Sequence, residues 1–441
     1  MLEKNYNNVI SFIFIIGVAL RVTLYISSPP NNSYDDHLEV IKIYSETFGS
    51  PGAFDCWECY QPPVYYYFSS IVLRFSDVIG VNDYGQWKMV QIINPLLSIL
   101  MFVSFVLIFK ELKVKKKSRL VLLSLLAVLP RDLYTSAMIG NDYLISFLCV
   151  LALLLFIKSV KFLYSDNTLQ FKINYALLSC IGLLSFFTKQ HGLLVMIFPL
   201  SVGLIALYRK INVSYVFSIL ILNLSILGFE LYNNVIETDQ LMVSNQHHFD
   251  YAHKQPPGDV GQVEFLSFRF YSLLKEPFIS ESTLQSLPTE LFARIFFDYE
   301  WRYISPKIKG SYYIGLMSYL WGAFWMGLIF YWVVSNFKIP KSNSKVMIYL
   351  CSLVLIGLFI MVPFIQTIRF PYFSSMKAMF ILPGLIMGIL IVAKMIPNLN
   401  NKYAILLILG NLLFGFAYIG FIAINIDNSL PDLHGPLWTY P

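Results

Sequence analysis

Charged residues are scarce in this chain of 441 residues, because only 13% are Asp, Glu, Lys or Arg. A soluble domain carries about 25% charged residues, so the composition excludes a soluble fold for most of the chain. Nucleotide-binding sequences are missing too, since neither a P-loop nor a Gly-x-Gly-x-x-Gly run occurs. No internal repeat or low-complexity domain is found. The small net charge of +6 comes from basic short loops, which indicates membrane topology and not a nucleic-acid surface.

Hydrophobic residues make up 57% of the chain, and several apolar runs reach the length of about 20 residues that crosses a bilayer as a helix. The pattern predicts an all-α polytopic membrane protein with about eleven transmembrane helices. One further apolar run, 64–79, is broken by Arg74 and Asp77, and it is predicted to be an interfacial or re-entrant helix. The predicted spans are 9–26, 87–109, 120–138, 143–157, 174–188, 192–208, 213–232, 312–334, 346–364, 379–393 and 403–424.

Basic loops orient these spans. The strongest cytoplasmic signal follows the second span and consists of Lys110, Lys113, Lys115, Lys116, Lys117 and Arg119. Lys4, before the first span, also favours the cytoplasm, and the first span is expected to be a retained anchor. The chain is therefore predicted to form one integral-membrane domain over 1–441. Its two large extracytoplasmic segments are predicted at 27–87 and 233–311.

The first outer segment holds polar groups that a plain connector does not need. Asp35 and Asp36 form an acidic pair and are followed by His37. A carboxylate here can act as a general base. The alternative is that the pair caps a helix that begins near His37, because Asp favours N-cap positions.

Cysteine is rare, with five residues in the whole chain. Cys56 and Cys59 lie in the first outer segment, within a Cys-Trp-Glu-Cys run, where an oxidising environment favours a disulfide. The alternative is a zinc site, which would need two more ligands from His37, His247 or His248. Cys149, Cys180 and Cys351 fall within predicted spans and are expected to be inert core residues.

Three cations, Lys189, Arg369 and Lys377, are predicted on or near the same outer face. Cations close to a lipid surface can hold a phosphate group. For Arg369 and Lys377 the alternative is a role as interfacial anchors for lipid headgroups. For Lys189, which interrupts an apolar hairpin, the alternative is a lysine that reaches toward the interface.

Short motifs along the chain resemble those of the GT-C glycosyltransferases, nearest in pattern to the protein O-mannosyltransferase and aminoarabinose (lipid A) transferase group. The matching runs are Tyr34-Asp35-Asp36-His37, Tyr60-Gln61-Pro62-Pro63-Val64-Tyr65-Tyr66, Gly140-Asn141-Asp142, Thr188-Lys189-Gln190, and Ser375-Met376-Lys377-Ala378 with Leu382-Pro383. They extend over residues 1 to about 385, which is most of the chain. The Cys-Trp-Glu-Cys run departs from the general family pattern, and no soluble C-terminal domain is expected after the last span.

The resemblance implies a GT-C-like fold and a polyprenyl-phosphate-linked sugar donor. It implies that Asp35 is the general base, with Asp36 as the alternative. The candidates for binding the donor phosphate are Arg369, Lys377 and Lys189, and those for binding substrate are His37, Glu58, Gln61 and Tyr65. No metal and no cofactor is predicted.

The sequence therefore predicts an integral membrane glycosyltransferase with its active site on the extracytoplasmic face of a plasma membrane or endomembrane. It would transfer a hexosyl or pentosyl group to a hydroxyl of a lipid, glycan or protein acceptor. One alternative is a transporter or flippase of a lipid-linked or anionic substrate, which should show paired repeats and broken helices near the midplane. Another is a non-catalytic assembly subunit.

Overall fold

The computed structural model describes residues 5–30, 36–165, 167–245, 248, 261–280, 283, 286–336, 342–369 and 376–426. Within these ranges all regular structure is helical. The α-helices are α1 Tyr6–Ser27, α2 His37–Thr47, α3 Val64–Val78, α4 Asp83–Gln91, α5 Ile93–Glu111, α6 Lys116–Ala127, α7 Pro130–Ser136, α8 Asn141–Leu163, α9 Thr168–Phe186, α10 Ile197–Tyr208, α11 Val213–Thr238, α12 Gln262–Leu266, α13 Phe270–Lys275, α14 Leu287–Phe296, α15 Ser311–Asn336, α16 Asn343–Arg369, α17 Leu382–Val392 and α18 Asn401–Asn425. Three 3₁₀ segments, Gln190–Met196, Ala378–Phe380 and Ala393–Met395, complete the set.

The described residues contain nine helical stretches that are long and apolar enough to cross a membrane. They are α1, the α4–α5 stretch Asp83–Glu111, α8, α9, the stretch Gln190–Tyr208, α11, α15, α16 and α18. The prediction of an all-α polytopic membrane protein is confirmed. Helix α8 is the most buried of the nine, and it packs against α5 and α9 at the centre of the helical bundle.

Two of the predicted spans take another form. The predicted span 120–138 is divided into α6 and α7, because Pro130 cannot continue a helix and instead occupies the first turn of α7. The predicted span 379–393 consists of the 11-residue α17 between two 3₁₀ turns. The number of full-length spans in the described residues is therefore lower than the sequence predicted.

The first outer segment has a small core of its own. Helix α2 packs against α3, and Val40, Tyr44 and Tyr66 are buried between them. The predicted helix at 64–79 is present as α3, with an exposed apolar face that includes Phe68 and Phe75. Its position at the membrane surface stays a prediction.

A buried ion pair joins α1 to α7. The Arg21 guanidinium donates to the Asp132 carboxylate, and it also donates to the carbonyl oxygen of Ala127 at 3.1 Å. The Tyr143 hydroxyl, from α8, donates to Asp132 Oδ1 at 2.8 Å. Buried charges need such partners, so this network holds α7 beside the start of α8.

The connection between α14 and α15 is organised by the buried Asp298 carboxylate. Asp298 accepts backbone N–H groups from Arg302 at 3.0 Å, Tyr303 at 2.7 Å and Ile304 at 2.9 Å. Its own N–H donates to the Tyr418 hydroxyl at 3.1 Å, which joins this turn to α18. Burial raises the pKa of Asp298 to about 6, although the backbone hydrogen bonds oppose the shift.

This raised pKa predicts a pH-dependent contribution to stability. At a pH between the pKa of Asp298 in the unfolded chain and its pKa in the folded protein, the folded protein holds a proton on Asp298 that the unfolded chain has lost. The free energy of unfolding therefore falls as the pH rises. A difference of about two pKa units corresponds to about 3 kcal/mol over the whole pH range, and about half of it falls between pH 7 and pH 5. Wild-type protein should therefore gain thermal stability on going from pH 7 to pH 5, and Asp298→Asn should gain less because it lacks this carboxyl group. The measurement is the unfolding temperature in detergent at each pH.

The matched control is Asp239→Asn, because Asp239 is exposed and its left-handed backbone tolerates Asn equally well. Asp239→Asn should keep the wild-type dependence on pH. Identical pH dependence in the wild type and Asp298→Asn would contradict the assignment to Asp298.

Candidate functional site

One cleft collects polar residues from four distant parts of the chain. It has a volume of about 190 Å³, and Gln61, Lys189 and Arg369 contribute to its wall. The other lining residues are Tyr60, Gln190, His191, Met242, Val243, Ser244, Val362, Gln366 and Phe380. We call it the Lys189 cleft. Its wall combines two cations and several hydrogen-bonding groups with apolar surface, which suits a ligand with an anionic head and an apolar tail.

Lys189 is held inside the protein by an ion pair. Its side-chain nitrogen lies 2.5 Å from Asp142 Oδ1, and both side chains are almost fully buried. The ring of Phe380 lies below the same ammonium group, 5.3 Å away. Lys189 therefore does not reach out to the interface, and one of its three N–H donors is used by Asp142.

Asp142 is positioned by the turn that starts α8. The Gly140 N–H donates to the Tyr65 hydroxyl at 2.9 Å, and the Asn141 side chain donates to the Thr188 carbonyl at 3.2 Å and to Gln61 Oε1 at 3.4 Å. A carboxylate in the first turn of a helix is also favoured by the helix dipole. The turn thus connects α3, the Gln61 loop and the Lys189 loop in one arrangement.

The Tyr65 hydroxyl acts as a neutral support for this turn. Burial raises the pKa of Tyr65 to about 12, so the phenol keeps its proton at physiological pH. Because Tyr65 remains a phenol, its oxygen can accept from Gly140 while its hydrogen is donated elsewhere.

His37 lies against the other side of the same turn. Its Nδ1 is 2.8 Å from the Tyr66 hydroxyl, and a Cβ at Gly140 would lie only 3.0 Å from His37 Nε2, so a larger residue there would push the imidazole away. A second cavity, of about 10 Å³, is lined by His37 and Asp142, and also by Asn94 and Thr135. That volume suits a single water molecule with polar partners.

The Cys-Trp-Glu-Cys run forms a closed turn beside these residues. Cys56 and Cys59 are joined by a disulfide, as the sequence predicted, so in this state neither is a thiolate available to a metal. Asn245 donates to the Trp57 carbonyl, and Phe54 stacks on His248 with ring centres 4.7 Å apart. The first outer segment is therefore in contact with the start of the second outer segment.

The structure places the predicted residues at four positions. Gln61, Lys189 and Arg369 line the Lys189 cleft. His37 and Tyr65 contact the Gly140–Asp142 turn from the side of α2 and α3, and Glu58 is buried within the disulfide turn. Lys377 is largely buried just before Ala378–Phe380, the turn whose Phe380 lines the cleft. Among the described residues no group of three His, Cys, Asp or Glu side chains could hold a metal.

The acidic pair is only partly described. Asp36 is the N-cap of α2 and accepts the Glu39 N–H at 3.3 Å, which confirms the capping role for this residue. Asp36 does not line the Lys189 cleft. Asp35 and His247 lie outside the described residues.

The sequence predicted no role for Asp142, although this residue belongs to the Gly140-Asn141-Asp142 motif. The available signal was a carboxylate at the start of a long apolar helix, since ionisable residues at the ends of membrane spans are functional candidates. The expectation for the remaining cysteines holds for Cys149 alone, because Cys351 is half-buried and Cys180 is exposed on α9. Residue type and span position do not say which side of a helix faces the bundle.

No protein-family model and no curated protein matches the chain. Solved structures are similar over nearly all of it. ArnT from Cupriavidus metallidurans, bound to undecaprenyl phosphate, is 13% identical with a TM-score of 0.39, and the match covers 94% of this chain and 78% of ArnT.

The Archaeoglobus fulgidus oligosaccharyltransferase AglB, in complex with an inhibitory peptide and a dolichol-phosphate, is 12% identical with a TM-score of 0.44. That match covers 96% of this chain and 56% of AglB, so the chain spans little more than half of that protein. At TM-scores this low, the assignment of function depends on the residues of the cleft.

Proposed function

We propose that the chain is a GT-C-type glycosyltransferase that moves a sugar from a polyprenyl-phosphate donor to an acceptor hydroxyl at the extracytoplasmic membrane face. The observation that carries this proposal is the Lys189 cleft, which is lined by Lys189, Arg369 and Gln61. A phosphate needs cationic and hydrogen-bonding partners, and a polyprenyl chain needs the adjacent apolar surface. Lys377 would add a further cation beside the cleft.

The cations of the cleft fit this substrate class. Lys189, which is paired with Asp142, and Arg369 both line the cleft. A donor phosphodiester carries a single negative charge, whereas a phosphate monoester carries about −1.5 to −2 at pH 7. Negative charge therefore grows on the phosphate as the sugar leaves, and cations fixed beforehand stabilise the transition state more than the ground state.

The proposed reaction is a substitution at the anomeric carbon. The acceptor oxygen forms the new bond while the bond from the anomeric carbon to the phosphate oxygen breaks, and the electron pair leaves with the polyprenyl phosphate. Asp35 takes the acceptor proton as general base, with Asp36 as the alternative. Gln61 and His37 would orient the sugar or the acceptor, and Glu58 and Tyr65 are the other residues proposed to bind substrate. The segments 27–87 and 233–311 would be the extracytoplasmic parts of one catalytic domain.

The test of the donor site is Arg369→Ala. A hydrogen bond to a charged group contributes about 1.5–3 kcal/mol, so this variant should bind polyprenyl phosphate about 10- to 100-fold more weakly. Lys307→Ala is the matched control, because Lys307 is an exposed cation of the second outer segment that does not line the cleft. Binding is measured for the purified protein with polyprenyl phosphate and with the uncharged polyprenol.

Wild-type protein should prefer the phosphate over the polyprenol, and Arg369→Ala should reduce that preference. If Arg369→Ala and Lys307→Ala both bind polyprenyl phosphate as the wild type does, the cleft is not the phosphate site.

The disulfide gives a separate prediction. Replacing Cys56 and Cys59 together by Ser removes a very short loop closure, which contributes about 2 kcal/mol in the chain-entropy treatment. The unfolding temperature should fall, and measurable sugar transfer should remain, because neither cysteine has a part in the proposed chemistry. Cys180→Ser is the control and should leave both quantities unchanged, since that thiol is unpaired and exposed. Complete loss of transfer in a folded double variant would mean that the thiols act in the reaction.

A further inference from the structure

A second charged site lies at the other end of the helix that supplies Arg369. Helix α16 has 27 residues, with Lys345 in its first turn and Arg369 as its last residue. At about 1.5 Å per residue the two ends are about 40 Å apart, which exceeds the thickness of a hydrocarbon core. Lys345 and the Lys189 cleft therefore lie at opposite faces of the membrane.

Five cations from the α5–α6 turn, α6, α16 and the 3₁₀ segment Ala393–Met395 lie near one another around Lys394. The positive charges of Lys345, Arg119, Lys113 and Lys115 all act on Lys394. We call these five residues the Lys394 cluster. Backbone contacts fix part of it, because the Lys394 ammonium donates to the Lys113 carbonyl at 2.8 Å and Arg119 Nε donates to the Val114 carbonyl at 2.7 Å.

The cluster has no carboxylate to balance it within the part of the chain that the structure describes. No Asp or Glu oxygen there comes within 4.0 Å of any of the five cations. Glu111, the acidic residue closest in sequence, is paired with Lys161 at 3.1 Å. Five like charges held together repel one another, so the arrangement favours an anion between them.

An apolar strip begins next to the cluster. Val346, Leu350 and Leu353 are exposed on α16, and their spacing puts them on one face that starts directly after Lys345. A soluble anion would make no use of this strip, whereas an acyl chain would lie along it. Charge and apolar surface together therefore select a lipid.

We propose that the Lys394 cluster binds the phosphate headgroup of an anionic phospholipid in the leaflet opposite the Lys189 cleft, with the acyl chain along the exposed face of α16. The site is separate from the proposed transfer reaction and takes a different ligand. It would tie the α5–α6 turn, the start of α16 and the 3₁₀ segment Ala393–Met395 to one lipid.

The test uses the full chain in detergent and dioctanoyl-phosphatidylglycerol as the probe, with no sugar donor present. Dioctanoyl-phosphatidylcholine and inorganic phosphate are the comparison ligands. In the variant Lys113→Gln/Lys345→Gln/Lys394→Gln, affinity for the phosphatidylglycerol should fall roughly 10- to 100-fold, since each basic residue near an anionic lipid surface contributes on the order of 1 kcal/mol. The matched control, Lys158→Gln/Lys172→Gln/Lys210→Gln, also removes three charges and should change the affinity less than about threefold.

If both triple variants lose the same affinity for phosphatidylglycerol, the effect is one of overall charge and not of a specific site. If the wild type and the first variant bind phosphatidylglycerol equally well, the Lys394 cluster does not bind it. Either result overturns the proposal. Inorganic phosphate binding as tightly as phosphatidylglycerol would overturn the choice of a lipid. If the triple variant does not fold, Lys345→Gln alone replaces it, because that side chain is exposed, and it should weaken binding about fivefold. Since no donor is used, these outcomes are independent of the proposed sugar transfer.

Discussion

Replacement of Asp35 by Asn should lower single-turnover sugar transfer by about 10²- to 10⁴-fold, which is the usual contribution of a general base. An acceptor hydroxyl is a poor nucleophile at neutral pH, so a carboxylate must take its proton in the transition state. Asn keeps the size and polarity of the side chain but cannot accept that proton. Affinity for the polyprenyl-phosphate donor should stay close to that of the wild type, because the donor phosphate is proposed to bind Arg369 and Lys189.

Asp36→Asn is the control for this experiment. Asp36 caps α2, and Asn is an equally good N-cap residue, so the change should cost less than the about 1 kcal/mol lost when a cap is removed. Transfer by Asp36→Asn should remain near the wild-type rate. If Asp36→Asn is inactive and Asp35→Asn active, the base is Asp36; if both are fully active, the proposed mechanism is wrong.

Replacement of Lys189 by Met should reduce both stability and donor binding. It leaves Asp142 buried without its cation, and removing one partner of a buried pair typically costs about 3–5 kcal/mol. The double variant Lys189→Met/Asp142→Asn carries no unpaired charge, so it should recover most of the lost stability. Donor affinity should not recover, because the cation proposed to hold the phosphate is still absent.

The comparison that isolates this effect is Asp132→Asn. Asp132 forms the other described buried pair near α8, with Arg21, so its loss should also destabilise the protein. The fraction of Asp132→Asn that folds should bind polyprenyl phosphate normally, since neither Asp132 nor Arg21 lines the cleft. Wild-type donor affinity in the Lys189→Met/Asp142→Asn protein would show that Lys189 is a structural residue only.

The helical, membrane-spanning character of the chain follows directly from its apolar runs, and the disulfide follows from two cysteines on an outer segment. Hydropathy could not show that Pro130 divides a span or that α17 is short, because helix breaks depend on local backbone geometry. The partnership of Lys189 with Asp142 joins residues far apart in sequence, and only the packing of α8 against α9 brings them together.

The candidate site could be predicted only in part, because tertiary packing decides which of its residues meet. Sequence order placed Gln61, Lys189 and Arg369 near one face, and the structure brings these three into one cleft. Asp36 was predicted as the alternative base to Asp35, and His37 as a substrate-binding residue of the same segment. Their different environments, an N-cap for Asp36 and a buried contact with Tyr66 for His37, arise from tertiary packing that no local pattern encodes.

The most direct test of the proposed function is made in nanodiscs, where both membrane faces contact the same solution and transport across the membrane cannot be observed. Purified protein is mixed with polyprenyl-phosphate-linked sugars extracted from cells that lack it, together with an acceptor-containing membrane extract, and released polyprenyl phosphate is measured over time. Wild-type protein should release polyprenyl phosphate and label an acceptor with the sugar, whereas Asp35→Asn should do neither at a comparable rate. If the donor accumulates in cells that lack the protein but stays intact after incubation with folded wild-type protein, the protein is not a transferase. That result would favour a flippase.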